Sequence, residues 1–249
     1  MIDFSTSRLL TIFLTFFLAG IVKGVTGMGL PTVAMGVLGS LMPPVAAAAL
    51  LLAPSFVTNV WQLFAGPSFK ALASRLWLMM LGIIIGTIAG AGMLAALNSR
   101  WTAMGLGAAL AVYAGFTLLG RQYSIPARAE RRLSLVIGLA TGAITGATGV
   151  FVVPAVPFLQ ALDLSREDLV QALGLSFTVS TIALTAGLAG AGALRFDNLG
   201  ASALAIAPAL LGMAVGQGIR RRISPAIFRR WFLIFLFILG CELLLRPLL

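Results

Sequence analysis

The sequence predicts an all-α polytopic membrane protein with two inverted-topology repeats, each a broken-helix hairpin followed by three transmembrane helices. Three observations lead there. The chain of 249 residues is 60% hydrophobic and 10% charged, where a soluble domain would carry about 25% charged residues. Apolar runs near the length of a bilayer crossing recur from end to end, and the mean hydropathy is +1.06. Two longer apolar regions, Leu9–Leu41 and Leu133–Leu162, are each interrupted near the middle by glycines and then a proline.

The first interrupted region contains GIVKGVTGMGLP from Gly20, with four glycines, a threonine and a lysine where a membrane helix would place leucines. That composition argues against a regular helix there. Arg8 ahead of LLTIFLTFFLAGIV resembles a signal peptide, but no A-x-A cleavage motif follows directly, so the segment reads as retained. Full-length helices are expected over Val45–Ala65, Arg75–Leu97 and Trp101–Gly120. After the second region, with its break GLATGAITGATGVFVVP from Gly138, they are expected over Leu169–Gly190, Leu199–Ile219 and Phe228–Leu245. Each has about 18–23 residues, enough for a hydrocarbon core of about 30 Å at about 1.5 Å per residue. Trp61, Trp77, Trp101 and Trp231 fall near expected helix ends and read as interfacial anchors.

The two breaks share a G-x-x-x-G start, a Thr-Gly pair and a later proline. Downstream, LLLAPSFVTNVWQ from Leu50 aligns with QALGLSFTVSTIA from Gln171 through Ser-Phe. The halves are residues 1–120 and 133–249, joined by the polar linker 121–132. Arg121, Arg128, Arg131 and Arg132 cluster in that linker, and Arg220, Arg221, Arg222, Arg229 and Arg230 cluster farther on. With both clusters cytoplasmic by the positive-inside rule, two full helices and the second broken region must return the chain to the same side. The broken region is then a hairpin, and three crossings per half make the repeats inverted, a recurring transporter architecture. Arg100 falls outside in this scheme, against the rule.

The net charge of +10 is thus accounted for by loops, and no nucleic-acid partner is expected, since that needs a basic face on a soluble module. One cysteine, Cys241, excludes an internal disulfide, and the absence of histidine removes histidine-based zinc sites and acid–base catalysis. No cofactor or metal site is expected. A membrane-embedded enzyme would need a nucleophile–base pair or metal cluster at membrane depth, and the carboxylates lie in loops or at helix ends. Glu242 stands four residues before Arg246, a local pair.

Candidate binding groups gather at the breaks. The first amides of an interrupted helix are unpartnered and carry the positive end of its dipole, so they attract anions. Glycines let a ligand approach closely; Gly27 and Gly29 in the first break and Gly146 and Gly149 in the second are candidates, with hydroxyls from Thr26, Thr145 and Thr148. Lys23 is costly at membrane depth, by about 2.5–3.5 kcal/mol, and so faces a cavity or a partner, or else snorkels to the interface. Ser55, Thr58, Asn59 and Gln62 recur at helical spacing on one face, and Gln171, Gly174, Thr178, Thr181 and Thr185 on another, flanked by Ser176 and Ser180. Such faces line polar pathways or join helices by hydrogen bonds. Of these, Asn59, Ser55, Ser176 and Thr178 join the candidate binding set, Asn59 foremost. The series Gly82, Gly86, Gly90 and Gly212, Gly216 read as close helix contacts.

GIVKGVTGMGLP followed by SFVTN, and GAITGATGVFVVP followed by LGLSFT, resemble the TauE/SafE sulfite exporter family, or toluene sulfonate uptake permease group, over about Leu9 to Arg246. The resemblance implies a duplicated permease in a bacterial inner membrane that moves small sulfur-containing anions such as sulfite, sulfonates or sulfoacetate, or other small organic anions. A non-transporting membrane partner subunit is the alternative. The expected partners are the small anionic substrate and the lipid bilayer, with homo-oligomerisation possible. This chain departs from the family pattern in having fewer consecutive glycines in the first break, and Lys23 there.

Overall fold

The computed structural model describes residues 6–96, 98–120, 124–194, 196–220, 222 and 224–246. Leu97, Arg121 and Arg221 from the sequence expectations lie outside them. All regular structure among the described residues is helical: α1 Thr6–Thr26, α2 Leu30–Leu41, α3 Pro44–Phe64, α4 Phe69–Ala96, α5 Ser99–Leu118, α6 Ala127–Thr148, α7 Ala155–Gln160, α8 Arg166–Gly190, α9 Phe196–Leu204, α10 Ile206–Arg220 and α11 Pro225–Leu245. Among the described residues, six stretches have the length and apolarity to cross a membrane: Leu9–Thr26, Pro44–Phe64, Phe69–Ala96, Ser99–Leu118, Arg166–Gly190 and Gly200–Arg220. The protein is a multi-pass helical membrane protein. Trp61, Trp77, Trp101 and Trp231 are all exposed, as membrane-facing aromatics should be, although Trp77 sits well inside α4.

Sequence expectation fails first at GIVKGVTGMGLP. Helix α1 continues through Gly20, Lys23 and Gly24 and stops only at Thr26. The reason is packing. A Cβ on Gly20 would stand 2.3 Å from the Ala209 carbonyl oxygen, and one on Gly24 2.3 Å from that of Met213. These glycines exist to admit α10, and the gain from close backbone packing outweighs their poor helix propensity. The break itself is three residues, with Gly27 at φ 79° and Gly29 at φ 103°, a left-handed region that side chains avoid. The same holds at the second break, where α6 runs unbroken to Thr148 and Gly149 caps it at φ 73°. Each first limb is therefore a full-length helix, not a half-helix, and only the second limbs are short. α2 has 12 residues, or about 18 Å. Its counterpart is an irregular stretch, 149–154, and the six-residue α7.

Helix pairing follows the glycines. Gly82, Gly86 and Gly90 of α4 meet the backbone around Leu135–Leu139, Leu139–Ala143 and Ala143–Ala147 of α6, so the two helices run parallel. Gly212 and Gly216 of α10 likewise meet Phe17 and Ile21 of α1, again parallel. α5 and α11 pack antiparallel, Gly107 against Gly240–Leu244 and Gly240 against Ala111. α3 and α8 also cross antiparallel, with Gly174 against Leu63. The bundle core lies between these pairs, where Leu30, Met35, Leu50, Leu51, Phe151 and Phe177 are buried completely.

Two prolines interrupt helical hydrogen bonding. The expected single helix Leu199–Ile219 is divided at Ala205 into α9 and α10, because Pro208 cannot donate to the Leu204 carbonyl four residues back. Pro54 does the same inside α3 and orphans the Leu50 carbonyl. Ser202 of α9 repairs this: its hydroxyl donates to the Leu50 oxygen at 2.8 Å and accepts the Ala53 N–H at 3.0 Å. Ser202→Ala should cost about 1–3 kcal/mol, the usual penalty for a buried group left unpaired, read as a lowered thermal midpoint in detergent. Elsewhere Ser165 caps α8 by accepting the Asp168 N–H at 3.1 Å, and Glu242 pairs with Arg246 at 3.7 Å, as their spacing predicts.

Candidate functional site

Lys23 occupies the last turn of α1 and is 3% exposed. Its side chain does not snorkel. The ammonium Nζ donates to Thr58 Oγ1 at 3.1 Å and to Asn59 Oδ1, both on α3. Asn59 Nδ2 in turn donates to Thr181 Oγ1 of α8 at 3.4 Å, so one polar chain crosses three helices. Both residues are fully buried, as is Ser55 one turn earlier on the same face of α3. Neither ion pair formed by described residues involves Lys23: they are Arg75–Glu130 and Arg246–Glu242. The buried ammonium is thus met by neutral oxygens alone.

Glutamines brace this crossing. Gln62 Nε2 lies 2.9 Å from both the Gly27 and Val170 carbonyl oxygens, tying the turn after α1 to α8. Gln171 Nε2 lies 2.7 Å from both the Leu63 and Gly66 carbonyl oxygens, and its Oε1 accepts the Ser68 N–H at 2.9 Å. Both glutamines lay on the sequence-expected stripes, and the structure assigns them to holding backbone in irregular conformation.

The breaks are built alike. Thr26 Oγ1 accepts the Met28 N–H at 3.3 Å, and Thr148 Oγ1 accepts the Val150 N–H at 3.2 Å. Each hydroxyl also lies within hydrogen-bond distance of the carbonyl four residues back, Val22 at 2.8 Å and Ile144 at 2.7 Å. Counting back from these threonines, Lys23 of α1 matches Thr145 of α6. The Thr145 hydroxyl donates to the Thr141 carbonyl at 2.7 Å, which is the local bond of a helical threonine. Each break meets distant helices: Gly27 approaches Val170 of α8 at 3.8 Å, and Gly149 approaches Met35 of α2 at 2.9 Å and Ala48 of α3 at 3.5 Å, measured from the Cβ each would carry.

Several sequence candidates take other duties. Gly146 packs on α4, where a Cβ would stand 2.4 Å from the Thr87 oxygen, a helix contact. Thr178 donates to Gly174 O at 2.7 Å. Amides at the breaks are fewer than expected. In α2, Pro31 has no N–H and the Val33 N–H is bonded to Gly29 O at 2.9 Å, while the second break leads into only the short α7. Lys23 and Asn59 are brought into contact, with Ser55 on the same helix face as Asn59. Thr145, Thr148 and Gly149 belong to the end of α6 and share no hydrogen bond with that cluster among the described residues. Ser55 and Ser176, with Ser180, have buried hydroxyl oxygens lacking a partner.

A second polar feature was not expected from sequence. A cleft of about 830 Å³ opens where the residues after α5, the short α7 and the first turns of α11 meet, with Arg229 and Arg230 in its wall. Gly120, Ser124 and Ala226 also line it, so both basic segments border one end of the bundle.

No curated protein and no solved structure matches the chain. One comparison does match, over residues 12–243, to the family described as Sulfite exporter TauE/SafE. With an all-helical multi-pass fold and a match covering nearly its whole length, the chain belongs to the TauE/SafE sulfite exporter family of membrane transporters.

Proposed function

We propose that the protein is a secondary transporter of the bacterial inner membrane that exports small sulfur-containing anions such as sulfite, sulfonates or sulfoacetate. The carrying observation is Lys23, a buried ammonium hydrogen-bonded among the described residues to Thr58 and Asn59. A buried charge without a counter-charge is costly, and an entering anion relieves that cost. In this reading the anion displaces Asn59 Oδ1 from Lys23, and Asn59 and the unpartnered Ser55, Ser176 and Ser180 hydroxyls supply donors around it. Direction follows from the potential: an inside-negative membrane favours anion exit by about 2.3 kcal/mol per charge per 100 mV, and no buried carboxylate among the described residues stands ready to carry a proton inward.

The transport cycle is read from the pairing of helices. α1 with α10 and α4 with α6 are parallel, glycine-sealed pairs, and each joins one helix from each half. This exchange of equivalent partners supports two inverted-topology repeats, with α3 crossing α8 and α5 crossing α11 about the pseudo-twofold axis. Sealed pairs move as units, so alternating access rocks mixed pairs about the α3–α8 crossing, where Lys23 and Asn59 meet. Equivalent donors are unequal in the two halves, since Thr145 stands where Lys23 would be, and one anion is carried per cycle.

The test is flux of labelled sulfite from proteoliposomes of the purified full chain. Asn59→Leu, which removes the amide yet keeps an apolar side chain of similar size, should lower flux by about tenfold or more, the loss of a hydrogen bond to a charged group worth about 1.5–3 kcal/mol. Wild-type protein that moves neither sulfite, sulfonates nor short carboxylates would dismiss the transport reading.

A further inference from the structure

The cleft at the basic end is built over the Lys23 turn. Its lining includes Leu169, Leu233 and Phe116, and the neighbours of these residues touch the turn. Val170 lies 3.8 Å from the Cβ position of Gly27, and the Phe232 ring lies 3.3 Å from that of Gly29. Tyr113, one helical turn before Phe116, places its hydroxyl 3.4 Å from the Met28 sulfur. Three walls of the cleft therefore converge on residues 27–29, directly after the helix turn that carries the buried ammonium.

Its charge is positive. Arg229 and Arg230 face it and form no ion pair with a described residue, while Asp163 is the one carboxylate in the lining. Arg229 Nη2 lies 3.5 Å from Gln160 Oε1, so its guanidinium is steered toward the cleft by a neutral acceptor and keeps its charge free. Guanidinium is the side chain suited to planar and tetrahedral oxyanions, since its fork of N–H groups fits two oxygens at once. A concave, low-dielectric wall concentrates the field of such charges and raises the local anion concentration.

The geometry points to this cleft as a capture site for small sulfonate- or sulfite-like oxyanions, with Arg229 and Arg230 receiving the anion before it passes the 27–29 turn to Lys23. This rests on the transport reading and extends it with an entry site at the end where both basic segments lie. The same chemistry would accept the phosphate of an anionic lipid, so the source of the oxyanion decides the matter.

A labelling experiment separates these without relying on flux. Ser124 lines the cleft and is exposed; Ser124→Cys in a Cys241→Ala background provides a single thiol in the full chain. In detergent, a methanethiosulfonate with a sulfonate tail should label it about five- to tenfold faster than its trimethylammonium analogue, relative to free cysteine, as a net single positive charge within several ångströms requires. Arg229→Gln with Arg230→Gln should bring the ratio to about one, Arg229→Lys with Arg230→Lys should retain it, and methanesulfonate should slow labelling. A ratio near one in the parent protein would overturn the proposal. So would protection in vesicles by phosphatidylglycerol but not by methanesulfonate, which assigns the cleft to lipid. Lys23→Met should leave labelling unchanged. Charge-selective, protectable labelling with no flux of sulfite, sulfonates or short carboxylates would defeat the transport reading and leave the cleft as an oxyanion site; flux with indifferent labelling would defeat the cleft alone.

Discussion

Lys23→Met is expected to reduce sulfite efflux by about 100- to 5,000-fold, since removing one partner of a buried charged contact costs about 3–5 kcal/mol. In the unloaded protein the ammonium has Thr58 and Asn59 as partners, and the anion supplies the missing opposite charge. Methionine keeps the length and apolar stem but offers the anion nothing. Stability should not fall with activity, because the substitution also removes a charge from a site that is 3% exposed. Thr58 keeps its bond to the Pro54 carbonyl at 2.7 Å, so only the Asn59 oxygen loses a partner. Efflux from proteoliposomes and the thermal midpoint of the same preparation are measured together. Loss of flux with an unchanged or raised midpoint is the expected outcome, and wild-type flux in Lys23→Met would remove Lys23 from the site.

Gly142→Leu is expected to abolish the folded state. A Cβ at this position would lie 2.4 Å from the Ile83 carbonyl oxygen and 2.7 Å from the Thr87 nitrogen, and neither can give way because both are helical backbone. The α4–α6 pair would have to separate along its length, losing contacts at Gly82, Gly86, Gly138 and Gly146. Against a total stability of about 5–15 kcal/mol, overpacking of this kind leaves little. Gly92→Ala and Gly218→Ala are the controls. Each lies in a helix with nothing within 4 Å of the added atom, and each should be neutral or stabilising by about 0.5–1 kcal/mol. Yield of monodisperse protein by gel filtration distinguishes the two classes. A normal yield for Gly142→Leu would show that the helices are not held at backbone distance.

Most helices were readable in the sequence because the bilayer imposes one length and one polarity on them. Val45–Ala65 became Pro44–Phe64 and Leu169–Gly190 became Arg166–Gly190, differing only at their ends. The role of Gly82, Gly86 and Gly90 was readable from their spacing alone. Gly20 and Gly24 have the same spacing, yet read as breakers, because the residues that justify them, Ala209, Met213 and Gly216 on α10, lie far along the chain. Lys23 was legible as an anomaly and Asn59 as a polar residue on a helix face, but nothing local says that they touch. Ser202 was missed, although Pro54 announces that the Leu50 carbonyl needs an outside donor. The Arg229–Arg230 cleft was hidden inside an ordinary positive-inside cluster, since only tertiary structure brings α7 and the residues after α5 beside it.

The cross-pairing has a consequence for biosynthesis. When the ribosome has made the first half, the bare glycine stripes of α1 and α4 and the orphaned carbonyl of α3 are already in the lipid, and everything that covers them is still unmade. Ser202 arrives 148 positions after Pro54. The α4 stripe is covered as soon as α6 is made, but the α1 stripe and the α3 carbonyl stay bare until α9 and α10 follow, and α5 meets α11 last of all. Insertion is sequential, and packing of the first half is completed only as the second half arrives.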